Sequence, residues 1–203
     1  MFSTAYQFPV FEYLELHQQT KTNQKYQPLK PLSAGQLTPD LKLVNKNGTW
    51  LNASRIKNYE GTVFTQQLLT KPLVISFYAE PWNRKGTFIL KKLNALENKV
   101  TAAGGNLLII TSEGPFAQSQ LNSKHGFNLN FYHDVNHEIA RKFKVYSDED
   151  PIWNKFSGID VNVPLLATYI LSPNGQIIYD HVDTAFTGHF PSAEIINAVQ
   201  NAQ

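Results

Sequence analysis

Sulfur is nearly absent from this sequence. Its 203 residues hold one methionine and no cysteine. That excludes disulfides, thiolate metal sites and every cysteine nucleophile within these residues. It leaves the compartment open, because reduced and oxidised proteins alike can lack cysteine. Long apolar runs are missing too: no stretch approaches the roughly 20 apolar residues of a membrane helix. The opening segment, "MFSTAYQFPVFEYLELHQQ", has no basic stretch followed by an apolar run and does not read as a signal peptide. There is no dense Lys/Arg block, and the net charge of +2 gives no footprint for nucleic acid. No internal repeat, low-complexity tract or glycine-rich phosphate loop is found. The expectation is a soluble, cytoplasmic protein with no nucleic-acid and no membrane partner.

What is present suits a packed domain. The chain is 42% hydrophobic and 12% aromatic, enough for a sizeable core. Residues 1–35 mix aromatics with polar residues and end in "QPLKPLSAG", which reads as an arm leading into a domain over 36–203. Phe2, Tyr6, Phe8, Phe11 and Tyr13 give that arm more apolar surface than a free tail exposes. It is expected to cover its own domain or a second copy, which would make a homodimer.

Within 36–203, "PDLKLVNKNGTWLN" reads as a hairpin around Asn47-Gly48, since a type I′ turn needs positive φ at both central positions. "KPLVISFYA" is a continuous apolar run, the pattern of a strand buried on both faces. Ile89, Leu93, Leu96 and Val100 recur at helical spacing, and Gly104-Gly105 ends that helix. "NLLIITS" is a second buried strand, so the order strand, helix, strand predicts a parallel pair. A short helix follows Pro115, "LNFYHD" is a short extended piece, and "HEIARKF" is another helix. "LLATYILSPNGQIIYDHV" is two antiparallel strands around a Pro-Asn-Gly turn. "PSAEIINAVQ" closes as a helix with Ser192 as its expected cap. The order β-α-β, helices, β-β-α predicts an α/β thioredoxin-like fold: a central mixed sheet with helices on both faces, plus the arm and hairpin. A doubly wound nucleotide-binding fold is the rival, and it would not end in a strand hairpin.

Four stretches, in order, carry a family resemblance. "KPLVISFYAEPW" resembles a strand entering a Trp-Cys-Pro-x-Cys loop, and "HDVNHEIARKFKVYS" resembles an Asp-x-x-x-x-Ile-Ala-x-x-Phe-x-Val segment. "VPLLATYILSPNGQIIYDHVD" resembles a Pro-Ala-Thr-Tyr hairpin, and "AFTGHFPSAEII" a Tyr-Thr-x-Arg stretch before a helix. Together, over roughly residues 35 to 200, they resemble the peroxiredoxin-like alkyl hydroperoxide reductase / thiol-specific antioxidant family. The resemblance implies thiol peroxidase chemistry at a loop whose first cysteine falls at Asn83 and second at Gly86, beside Trp82. It further implies a proline, normally cis, near Leu166, with Pro164 two positions earlier, and an arginine near His189.

Both implied thiols are replaced, His189 stands near the implied arginine, and the proline position falls on either Leu166 or Pro164. Asn83 can cap a helix through its side-chain oxygen, but it cannot attack an O–O bond or carry a sulfenic acid. The sequence therefore reads as a family member that has lost thiol peroxidase chemistry and serves as a scaffold for a protein partner or small ligand, with no cofactor. The alternatives are an antioxidant or oxidoreductase by family membership, or an enzyme using Glu80, Arg84, Lys85 or His189 in the same cleft. Arg84 and Lys85 beside a helix N-terminus could hold an anion, though such residues are more often a solvated loop. Trp82 reads as packing rather than a pocket shield. His133 and His137, four apart, invite a metal only if one helix carries both. Asp134 starts that helix later, so no metal site is expected. Glu113 ends the second strand with no partner carboxylate at a telling spacing and reads as loop surface. Asp148, Glu149 and Asp150 lack calcium-loop spacing and read as a solvated loop.

Overall fold

The computed structural model describes residues 28–44, 61–184 and 189–202. The aromatic positions of the arm and the Asn47-Gly48 turn lie outside these residues. Residues 28–37 lie on the domain: Leu32 N donates to the Phe143 carbonyl at 3.1 Å and Gly35 N to that of Ile177 at 2.8 Å.

Five strands form one sheet in the order β5-β4-β3-β6-β7. They are β3 (Leu73–Tyr78), β4 (Asn106–Thr111), β5 (Phe131–His133), β6 (Ala167–Leu171) and β7 (Ile177–Val182). Strands β3, β4 and β5 are parallel, β6 runs antiparallel to β3, and β7 antiparallel to β6. Every residue of β3 is buried, as its unbroken apolar run predicts for a central strand. A separate antiparallel pair joins β1 (Lys42–Val44) to β2 (Thr62–Phe64). The described partner of β1 is thus 62–64, beyond the Asn47-Gly48 turn. The short helix α1 (Thr65–Leu68) follows.

The pleat of β3 sorts the helices. Phe77 points to one face, where its ring meets Phe143 at 5.3 Å and Tyr169 at 6.2 Å, edge to face. Phe143 directly follows α4 (Glu138–Lys142). Tyr78 must point to the opposite face, where it meets α2 (Asn83–Ala102) at Gly86. Helix α2 buries Ile89, Leu90, Leu93, Leu96 and Val100 and touches α5 (Ser192–Gln200). Positive φ at Gly104 (+82°) turns the chain out of α2. Helix α3 (Pro115–His125) connects β4 to β5. Helices therefore cover both faces, and the mixed sheet rules out the doubly wound rival.

One local expectation fails. Ser192 is the first residue of α5 rather than its cap; Pro191 holds the cap position, and no side chain bonds there. The backbone of Ser192 instead donates to the Phe190 carbonyl at 2.8 Å, which winds the chain into the helix one residue early. Among the described residues no helix is long and apolar enough to cross a membrane.

Candidate functional site

Strand β3 ends at Tyr78, a 3-10 turn spans Glu80–Trp82, and α2 begins at Asn83. Trp82 is 2% exposed. Its indole nitrogen donates to the Pro164 carbonyl at 2.7 Å, and its ring meets Phe156 edge to face at 5.6 Å. The junction is thereby fastened to the segment entering β6. That segment includes Leu166, buried just before Ala167, which pairs with Phe77. Among the described residues no peptide bond is cis.

Asn83 is exposed at φ 51°, ψ −123°, a region sparsely populated except by glycine. It does not cap α2: no side-chain cap bond is present, and its amide nitrogen donates to the Pro81 carbonyl at 3.0 Å. The strain gives a direct prediction. Asn83→Gly should raise stability by about 1 kcal/mol, read as a higher urea midpoint at unchanged slope. A lower midpoint would mean that the bond to Pro81 outweighs the strain.

Gly86, one turn on, is buried against the sheet. A Cβ there would lie 2.8 Å from Cε2 of Tyr78, 3.1 Å from Cβ of Trp82 and 3.3 Å from the Ala79 carbonyl oxygen. The two positions matched to cysteines thus differ: Asn83 is open to solvent and Gly86 is closed by a tyrosine ring. Arg84 and Lys85 are exposed on the first turn of α2. His189 is exposed beside His181, which belongs to β7, two strands from β3. The loop and the β6 entry are therefore brought together, while His189 stands at the far edge of the sheet.

A cavity of roughly 180 Å³ opens at the carboxyl ends of β3 and β4, beside α3. Tyr78, Glu80, Thr111, Glu113, Gln118 and Lys124 are in its wall. Glu113 thus lies half-buried in the wall of this cavity rather than on open loop surface. It accepts the Glu80 backbone N–H at 2.9 Å, the Ser112 hydroxyl at 3.3 Å and the Thr111 hydroxyl. Burial first, then the charges of Glu113 and Glu80, push the Tyr78 hydroxyl pKa well above its ordinary value, so it stays protonated. Of the residues considered for other chemistry, Glu80 lines this cavity, whereas Arg84, Lys85 and His189 do not.

The histidine pair separates. His133 ends β5, whereas His137 sits before α4 at φ 54°. Asp134 explains this: it is 4% exposed and accepts the N–H groups of Ile139 at 3.1 Å and Ala140 at 2.9 Å. Among the described residues no group of three or more metal-ligating side chains is placed to hold an ion. His137 stacks on Tyr146 at 4.0 Å, and Arg141 lies 4.9 Å from the centre of that ring while pairing with Asp148 at 2.6 Å. The acidic cluster is not wholly solvated. Asp150 is 2% exposed, accepts Leu29 N at 2.7 Å and pairs with Lys155.

Burial lowers the pKa of His137, against the pull of Asp134 and with a smaller push from Arg141. Burial likewise lowers His181, opposed by Asp183 and assisted by His189. A histidine whose folded pKa is depressed stabilises the fold fully above its unfolded value, near 6.5. That contribution is lost as pH falls through the folded pKa. Melting temperature should therefore fall between pH 7.5 and 5. His137→Asn, which tolerates positive φ, should flatten the fall; an unchanged slope would remove His137 from this account.

The AhpC/TSA family model matches residues 34–180. No curated protein sequence matches the chain. Solved structures do. Peroxidoxin BcpB from Mycobacterium tuberculosis superposes with a TM-score of 0.63 at 12% identity, over 85% of this chain and 99% of that one. A serine variant of Xanthomonas campestris peroxiredoxin Q gives 0.60 at 20% identity, over 85% and 100%. The reduced 2-Cys peroxiredoxin of Plasmodium vivax gives 0.60 at 17%, over 84% and 83%. At these identities the structures speak for the thioredoxin-like peroxiredoxin fold, and the family match covers most of the sequence: this chain is a member of the AhpC/TSA family with no cysteine in its 203 residues.

Proposed function

We propose that this protein has left thiol peroxidase chemistry and works as a binding scaffold on the family's fold. The observation that carries this reading is the missing sulfur. Peroxide reduction of the family type needs a thiolate to attack the O–O bond and hold the resulting sulfenic acid. No residue type in this chain other than its single methionine carries sulfur. Gly86 supports the reading further, because a side chain at that position would meet the Tyr78 ring. An oxidoreductase named by family alone has the fold in its favour but no electron-transferring group, and function is argued from the site rather than the fold.

The test is peroxide consumption by the purified chain with a dithiol reductant, beside a cysteine-bearing family member. The expected rate equals that of buffer plus reductant. Turnover that scales with the concentration of this chain, in preparations free of contaminating peroxidase, would overturn the reading.

A further inference from the structure

The bland net charge of +2 hides an asymmetry. Helix α2 holds five cations, Arg84, Lys85, Lys91, Lys92 and Lys99, against one acid, Glu97. Its net charge is +4, so the rest of the chain sums to −2. All five cations are exposed, whereas Glu97 is half-buried. At about 100° per residue, every exposed position from Arg84 to Lys99 falls within an arc of about 140°, and Glu97 lies roughly opposite its middle. Burial of Ile89, Leu93, Leu96 and Val100 fixes which way that arc faces. The result is one cationic strip about 22 Å long. Arg84, Lys91, Lys92 and Lys99 pair with no acid among the described residues, where the ion pairs are Arg141–Asp148 and Lys155–Asp150.

Phe88 supplies a second, separate observation. It stands inside the same arc, 38% exposed, with Lys92 Nζ 5.3 Å from its ring centre. An exposed ring set among lysines suits the boundary between lipid headgroups and acyl chains, where the ring is buried and the long side chains reach the headgroups. Other occupants fit less well. A second copy meeting through this face would set five cations against five. A duplex groove admits a helix that stands clear of its domain, but α2 touches α5 on one side, and Asn94 Oδ1 accepts Asn128 N at 2.8 Å. Single strands stack successive bases on aromatic rings, and the arc has one ring. Four of the five cations are lysines, which act as point charges, rather than the arginines that grip phosphates in bidentate fashion.

We propose that the exposed face of α2 docks on an anionic lipid bilayer. Arg84 and the four lysines lie against the headgroups, and Phe88 enters the acyl boundary between them. This is adhesion without spanning, since no described helix is long and apolar enough to cross. The expectation of no membrane partner rested on net charge and run length, and neither reports how charge is distributed over the surface.

The test is co-sedimentation of the full-length chain with phosphatidylcholine vesicles containing about 40% phosphatidylserine, beside vesicles of phosphatidylcholine alone. Each cation held at the surface contributes about fivefold. Half of the chain should therefore sediment at accessible lipid on the order of 0.1–1 mM in about 0.1 M salt, and about 0.5 M salt should release it. Phosphatidylcholine alone should carry down none. Lys91→Gln with Lys92→Gln should weaken binding by about 25-fold, and Phe88→Ala by about threefold or more. Lys30→Gln with Lys144→Gln removes the same net charge from the other face of the sheet. There Lys144 adjoins Phe143, and Leu32, two residues on from Lys30, donates to the Phe143 carbonyl. That pair should leave binding within about twofold. No sedimentation above phosphatidylcholine alone, equal losses from the two lysine pairs, an unchanged Phe88→Ala chain, or tighter binding to a duplex oligonucleotide or to poly-L-glutamate at equal anionic charge overturns the proposal. Peroxide turnover would sink the scaffold reading alone, and these failures would sink this surface alone.

Discussion

Trp82→Ala is expected to unfold about 10 °C below the parent, a loss of about 3–5 kcal/mol. Trp82 is 2% exposed, so nearly the whole indole is withdrawn from water, and truncation leaves a cavity where it met Phe156 at 5.6 Å. Its N–H is also the donor to the Pro164 carbonyl at 2.7 Å; a buried carbonyl left without its donor costs about 1–3 kcal/mol. Trp82→Phe separates the two contributions, since it keeps most of the ring contact and removes the donor. It should cost about 1–2 kcal/mol. If both variants lose the same amount by urea titration, the hydrogen bond dominates. If Trp82→Ala loses less than about 1 kcal/mol, the strand-to-helix junction is not anchored at Pro164. The anchoring matters for function because it makes this junction a fixed feature of the fold, tied to the β6 entry, rather than a loop free to close over a substrate.

The elements that sequence periodicity revealed are those whose pattern is local. The apolar run of β3, the four-three-four spacing in α2 and the Pro-Asn-Gly turn between β6 and β7 each declare themselves within a few residues, and each stands where it was expected. The polar chemistry is non-local and was less legible. Glu80 and Glu113 are 33 positions apart, yet β3 and β4 are parallel with Tyr78 paired to Thr111. Each glutamate lies two residues beyond its paired strand end, so the observed register brings them together; the sequence predicted the parallel pair but not that register. Asp150 reads as surface from its neighbours, and only the fold reveals that Leu29 and Lys155 enclose it. The contrast between Asn83 and Gly86 was hidden for the same reason. Spacing assigns both to one loop, but the first sits at the exposed junction and the second turns inward onto the face of β3 that carries Tyr78.

That contrast has a large consequence when a thiol is put back at either position. In Asn83→Cys the sulfur should be solvent-exposed at the start of a 20-residue helix, with Arg84 and Lys85 next in sequence. A helix N-terminus and neighbouring cations favour the thiolate, so it should react with a disulfide reagent within about tenfold of a free thiol. In Gly86→Cys the new Cβ starts 2.8 Å from the Tyr78 ring, and Tyr78 is itself only 3% exposed. Overpacking of this kind costs about 1–3 kcal/mol, and replacing a helical glycine returns only about 0.3 kcal/mol. The thiol would be shut away from reagent except when the helix start opens, which should slow its reaction by at least about a hundredfold relative to Asn83→Cys. Adding Tyr78→Leu removes the obstructing ring atom, so the double variant should be more stable than the two single costs imply, a coupling readable in a double-mutant cycle. Equal thiol reactivity at the two positions, or a Gly86→Cys chain as stable as the parent, would mean that Tyr78 swings aside freely. The ground at Gly86 would then be open, and packing against Tyr78 would not be what bars a thiol from that position.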